Sequence, residues 1–118
     1  MNYVRLYNDS SRESRFSDLD FVFSAADFAP PAPPVDVFDP ISATAFMIIR
    51  LPKGWADPAH PAPARQFMMV MQGMAEITAG RERRLLKSGD ILLAEDTAGE
   101  GHATTVLEDS VLAVVRVD

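Results

Sequence analysis

Two imidazoles, His60 in "GWADPAHPAPARQF" and His102 in "EDTAGEGH", are the only histidines of this 118-residue chain, and no cysteine accompanies them. A neutral imidazole ligates Fe, Mn, Ni or Zn, and a titrating one moves protons near neutral pH. Gln66 offers a carbonyl oxygen that can serve as a neutral third ligand. Glu95 and Asp96, just ahead of His102, can supply the negative charge a cation needs, or can be solvent-facing turn residues. Two readings therefore stand side by side. In one, His60, Gln66 and His102 hold a divalent metal. In the other, no metal is bound, and the histidines line a ligand cavity as catalytic acid and base or as hydrogen-bonding groups. The lack of cysteine removes disulfides, thiolate zinc sites, iron–sulfur ligation and a cysteine nucleophile together. No Gly-x-Ser-x-Gly turn is present to carry a serine nucleophile.

Either reading needs elements that bring the two rings together. On a strand, side chains alternate faces, so His60, Ala62 and Gln66 share a parity that Met68 and Val70 continue. His102 shares its face with Thr104 and Val106, and can approach from a neighbouring strand. Arg65 has the opposite parity and is expected outward or at a subunit contact. Met68 is expected at the cavity mouth, and Trp55, in a loop with Pro52, Pro58 and Pro61, caps the barrel or stacks on a ligand. The other methionines, Met47, Met69, Met71 and Met74, read as packing.

Short apolar runs separated by turn signals supply such strands: "MNYVRLYND", a short one around Leu19 to Phe23, "ISATAFMIIRL", "RQFMMVMQ", "MAEIT", "RRLLK", "ILLAED", "HATTVLE" and "VLAVVRV". "SSRESRFSD" reads as a polar loop, "AGRE" as a hairpin turn, and Asp109-Ser110 as a turn before the last strand. The pattern is all-β, of closed or double-sheet type. In "APPAPPVDVFDP" the prolines forbid a helix or a central strand. That segment reads as an extended arm over the domain, with Val35, Val37 and Phe38 tucked against it, in competition with a docking motif for a polyproline-binding partner. The division is then residues 1–40 as first strand and arm, and residues 41–118 as barrel, one domain overall.

A formal net charge of -6 argues against binding a phosphate backbone, and the basic run Arg81 to Arg84 contains Glu82. No apolar run approaches the roughly 20 residues of a membrane span, and no signal peptide is visible. The expected location is cytoplasmic.

The spacing of these residues resembles the cupin superfamily, small jelly-roll β-barrels. The first cupin motif runs Gly, five residues, His, one residue, His, three or four residues, Glu, six residues, Gly. Here Gly54, His60, Ala62, Gln66 and Gly73 keep that spacing, with Ala and Gln in place of the second His and the Glu. The second motif is present as Gly89-Asp90, "ILLA" and "EDTAGEGH", two residues longer than usual and closing on His102. The resemblance covers Ala43 to Val117 and implies a double-stranded β-helix, or jelly-roll barrel, with the arm outside it. It implies a small organic molecule in the barrel cavity, contacted by Gln66, Met68 and Trp55. It also implies a metal-dependent oxygenase, isomerase or lyase with a weakened ligand set, or a metal-free sensing module. A barrel of this kind with its own first strand is expected to pair into a homodimer, by strand exchange or outer-face packing.

Overall fold

The computed structural model describes residues 1–118 and holds nine strands and no helix. β1 (Asn2–Asn8) and β2 (Ser14–Asp20) form one hairpin, and β3 (Phe23–Ala26) and β4 (Val35–Phe38) another. β5 (Ala43–Leu51), β6 (Gln66–Ala79), β7 (Glu82–Lys87), β8 (Ile91–Ala94) and β9 (Ala103–Val117) follow. Seven strands share a sheet in the order β2-β1-β8-β6-β9-β5, with β7 attached to β6, while β3 and β4 pair only with each other.

Alternation decides which side chains go inward. In β5, Met47, Ile49 and Leu51 pack on the core while Phe46, Ile48 and Arg50 are exposed. The core joins Leu6, Phe16, Val70, Ile77, Leu86, Leu92, Leu112 and Val114, drawn from both halves of β6 and from five other strands. Full burial of one such aliphatic side chain is worth about 1.5–3 kcal/mol.

The sheet folds over itself because β6 and β9 are long and bend together. Their register shifts between Val70 and Ala75, so each strand serves one side of the fold with its first half and the other with its second. The bend sits at Gly73, whose φ is +94°. A Cβ there would lie 2.3 Å from Ser110 Oγ and 2.4 Å from the Asp109 carbonyl oxygen, so only glycine fits. Ser110 is 1% exposed, accepts the Met74 N–H at 3.2 Å and donates to the Glu108 carbonyl at 2.8 Å. Its hydroxyl stands in for ladder bonds that the bulge removes. The far edges approach through side chains: Arg84 of β7 clasps Asp18 of β2 at 2.7 and 3.0 Å and lies 5.5 Å over the Phe16 ring. No ladder of hydrogen bonds closes the ring between those two strands.

The all-β expectation holds, with several local corrections. "RQFMMVMQ" and "MAEIT" are one bent strand, and so are "HATTVLE" and "VLAVVRV"; the supposed turn at Asp109-Ser110 is the corner of β9. The supposed polar loop supplies β2, because Phe16 points into the core between exposed polar residues. The proline-rich segment does not lie flat as an extended arm. It is the turn of the β3–β4 hairpin, with Val35 exposed and only Val37 and Phe38 partly covered.

Gly73→Ala is expected to cost roughly 2–4 kcal/mol, since it adds left-handed strain to a clash with backbone. Gly80→Ala, also at positive φ but with nothing within 4 Å of the new Cβ, is expected to cost only about 1 kcal/mol. Urea unfolding midpoints of the two variants measure the difference.

Candidate functional site

Between β5 and β6 the chain runs along the first half of β9 as an irregular strand. Gly54 N–H bonds Val106 O, Val106 N–H bonds Trp55 O, and Ala56 bridges Thr105. His60 and His102 then exchange both backbone hydrogen bonds at 3.0 Å, as a directly opposed antiparallel pair. Opposed residues share a face, so the rings meet with centroids 5.4 Å apart. The approach is so close that a Cβ on Gly101 (φ +78°) would sit 1.9 Å from the His60 carbonyl oxygen.

The two rings differ in surroundings. His102 is buried, and its Nδ1 lies 2.7 Å from Oδ2 of Asp96, which is wholly buried. The same carboxylate oxygen accepts a hydrogen bond from Ser14 Oγ at 2.6 Å. Nδ1 of His102 faces the carboxylate, and its hydrogen bond there leaves Nε2 as the other ring nitrogen, which the carboxylate does not engage. His60 is half exposed at the rim. Its Nδ1 donates to the Pro61 carbonyl at 2.9 Å and its Nε2 to Asp57 Oδ2 at 2.7 Å. Both partners only accept, so the doubly protonated ring satisfies them best. The Pro61 carbonyl first, and then Asp57, hold the His60 imidazolium to a higher pH than a free one. Asp57 is itself fixed, because its Oδ1 accepts the Thr104 N–H at 2.7 Å.

Gln66 is also buried and lies across from Ala94, two residues before Asp96. Its Oε1 has no partner, nor does Asp96 Oδ1. The expected strand through His60, Ala62 and Gln66 is broken, because residues 61–65 form a loop. The face-sharing of His102 with Thr104 and Val106 is observed, opposite Ile77 and Ala75 of β6. Ala62 is 4% exposed, and its N–H bonds the Asp96 carbonyl, so its position is packed shut.

Metal ligation by His60, Gln66 and His102 does not fit this arrangement as it stands. Both His60 nitrogens are engaged by oxygens, the Pro61 carbonyl and Asp57 Oδ2, so neither is free to face a cation. No three His, Asp or Glu side chains are grouped as a metal shell.

Glu95 lies outside this network. Burial alone would raise its pKa, but the guanidiniums of Arg5 and Arg65 outweigh that and hold it below the usual carboxylate value. Arg65 meets Glu95 Oε2 at 2.6 Å and the Asp118 carbonyl at 2.7 Å, tying the C-terminus down. Met68 packs against the core. Trp55 is partly exposed and aligned by its backbone to Val106. Sequence reasoning missed Asp57 and Ser14. Asp57, three residues before His60, carried a spacing signal; Ser14, assigned to a loop, carried none.

Open space lies at one end of the fold. A groove of about 770 Å³ is lined by the β1–β2 turn, the β6–β7 turn and Gly99 to Gly101, with Ser14 at its floor. It carries charges of both signs: Arg12, Arg15 and Arg81 with Glu13, Glu82 and Glu100. The aliphatic core lies between the sheet halves.

No family model and no curated protein matches the chain. Solved structures do. The chain is similar to SPY1581, a conserved protein of unknown function from Streptococcus pyogenes, at 27% identity and a TM-score of 0.50. That match covers 62% of this chain and 63% of the other, so it spans less than two thirds of that protein. The putative ethanolamine utilization protein EutQ of Salmonella typhimurium is matched over 99% of this chain and 95% of its own, at 13% identity and a TM-score of 0.50. A cupin-2 domain containing protein from Shewanella frigidimarina is similar over 62% of this chain and 69% of its own, at 14% identity and a TM-score of 0.45. What these likenesses carry to the chain is the fold.

The raised pKa of His60 makes its stabilisation complete below the unfolded value near 6.5 and lost as pH rises through the higher folded value. Wild type is therefore expected to hold its stability advantage over His60→Gln below about pH 6.5 and to lose it as the pH rises above that value. Denaturant melts on either side of that value, on both proteins, measure the closing gap.

Proposed function

Because the chain has a cupin-type fold, we propose that it binds a small polar organic molecule at the groove end of that fold. In this reading His102, aimed by Asp96, is the group that exchanges a proton with the ligand. The observation that carries it is the buried Asp96 carboxylate, whose Oδ2 accepts from both Ser14 and His102. A ring fixed at Nδ1 by a buried carboxylate, with Nε2 uncommitted, has the tautomer and orientation of a general base. After taking a proton, the same nitrogen is a general acid. His60, 5.4 Å away and easily protonated, offers positive charge to an anion developing beside it. Proton abstraction and return by one oriented imidazole is isomerase or lyase chemistry.

The groove defines the ligand class. Its mixed charges favour a molecule bearing carboxylate, hydroxyl or ammonium groups over an apolar one. Ser14 lines the groove and also touches Asp96, and Gly101 adjoins His102, so the groove and the dyad share a wall. The reading needs no metal. A chain without cysteine suits a reducing compartment, and no helix here is long and apolar enough to cross a membrane; cytoplasmic residence is part of the same proposal.

Hydroxy- and amino-dicarboxylic acids of small size are the probes, each added with and without EDTA while the melting temperature is followed. One class is expected to stabilise the protein regardless of chelator, by about 2.7 kcal/mol at a hundredfold excess over its dissociation constant. His102→Ala and Asp96→Asn should abolish that stabilisation. An undiminished response in His102→Ala overturns the site. Stoichiometric Fe, Mn, Ni or Zn in protein purified without a His tag, and lost in His60→Ala, overturns the metal-free reading.

A further inference from the structure

Two polar side chains on the inner face of the sheet belong to neither the core nor the His102 network. Gln66 opens β6 and Arg116 stands near the end of β9, directly opposed in the antiparallel ladder. Opposed residues share a face, with Cβ atoms about 4.5–5.5 Å apart. That face is the inward one, because Met68 and Val70 continue it on β6, and Val114 and Leu112 on β9, all of them in or against the core. Gln66 is 8% exposed, and its Oε1 has no hydrogen-bond partner. Arg116 is partly buried, and its Nε is buried without a partner. Its guanidinium joins none of the chain's ion pairs. In the same cross-strand row, Ala45 of β5 pairs with Arg116 and Ala94 of β8 with Gln66, so neither flank supplies a polar side chain.

The pair lies at the groove end of the fold. β6 and β9 turn their corner at Gly73, so the start of β6 and the last residues of β9 return to the same end as the β6–β7 turn and Gly101, which line the groove. His102 faces inward there too, since Thr104 on its face opposes the core residue Ile77. Arg116 and Gln66 thus look in from one half of the sheet and His102 from the other.

The two unpartnered groups call for complementary chemistry. A guanidinium without a counter-ion favours an anionic acceptor, and a planar carboxylate matches its fork of donors. A carbonyl oxygen without a donor favours a hydroxyl or an ammonium group. One small molecule meets both when it carries the donor on the carbon next to its carboxylate. The neutrality of Gln66 matters as well. A glutamate there would pair with Arg116 across the ladder and fill the site from within, whereas the amide leaves the guanidinium uncompensated.

We propose that Arg116 and Gln66 seat the head of a 2-hydroxy or 2-amino carboxylic acid. The carboxylate lies on Arg116, and the neighbouring hydroxyl or ammonium donates to Gln66 Oε1. The seat rests on the reading that a polar organic molecule binds at this end, and it specifies that molecule's head group.

Glycolate and glycine are the probes, with acetate, which lacks the donor, and glycolamide, which lacks the charge, as controls at matched ionic strength. The melting temperature is expected to rise with glycolate or glycine, to need roughly tenfold more acetate for the same rise, and to ignore glycolamide. Arg116→Met should abolish the response, and Arg116→Lys, which keeps the charge without the fork, should weaken it. Gln66→Glu is nearly isosteric; it should melt above wild type without ligand and lose the response. A wild type indifferent to both acids overturns the seat, as does a response to acetate or glycolamide that equals theirs. If Arg116→Met and Gln66→Glu respond like wild type while His102→Ala does not, the seat fails and the His102 site stands. If His102→Ala responds like wild type while Arg116→Met does not, the seat stands and the His102 site fails.

Discussion

Two strands that bend in step hold this molecule together. β6 and β9 pair along nearly their whole length, and the sheet can cover its own apolar face only if both turn the same corner. That demand falls on a few atoms at Gly73 and Ser110. The glycine lets two backbones approach to a distance no side chain permits, and the serine hydroxyl replaces the ladder bonds lost in the bulge. Without the corner, Ile77, Leu86 and Val106 would have no opposing layer. The first half of β9, and His102 before it, would have nothing to face.

The corner has a chemical consequence. Folding β9 back presents its first half to the 52–60 segment, which adds itself as an irregular strand and so places His60 opposite His102. The pairing is a backbone event, and the side chains inherit it. Around it are buried polar groups that an apolar core would reject: Asp96, Ser14, Gln66 and His102. A buried carboxylate is tolerated when donors satisfy it. Ser14 and His102 do so at one oxygen, while the other, like the amide oxygen of Gln66, has no partner within the chain.

The legible parts of the sequence were those governed by alternation. β5, the ends of β6, β8 and the face of His102 follow from period-two patterning with β-branched and long apolar residues, and the glycines mark where it stops. Local propensity could not show where a strand continues through a turn signal. Gly73 and Asp109-Ser110 read as stops, yet a bent pair of strands uses them as its corner. Nor could it show that Phe16, among serines and arginines, anchors β2, because one buried aromatic in a polar run makes no pattern. The site was half legible for the same reason. Parity found His102 and failed at His60, since residues 61–65 leave the strand. Asp57 and Ser14 reach their partners across 47 and 82 positions of sequence, and only the fold closes such distances.

The difference between this site and one with a full set of metal ligands reduces to the direction of hydrogen atoms. A metal centre needs lone pairs converging on a point. Here the centre is a carboxylate, and what converges on it are donors. His102 alone is compatible with both designs, because an Nδ1–H bonded to a carboxylate also orients a metal-bound imidazole. His60 is where the designs part. To give up a proton and present Nε2, it must leave Asp57. That carboxylate cannot swing aside to let it go, since its other oxygen holds the Thr104 N–H of β9 at 2.7 Å. Asp57 thus links the ring to the strand that follows His102. At the neighbouring position, Ala62 is closed in by its bond to the Asp96 carbonyl, with 4% exposure and no space for an imidazole. Ala62 and Gln66 thus offer a cation neither an imidazole nor a carboxylate, while Asp57 and Asp96 engage one ring nitrogen each of His60 and His102. The lack of an imidazole and a carboxylate at those two positions and the contacts on the ring nitrogens act in the same direction, away from a three-ligand metal centre.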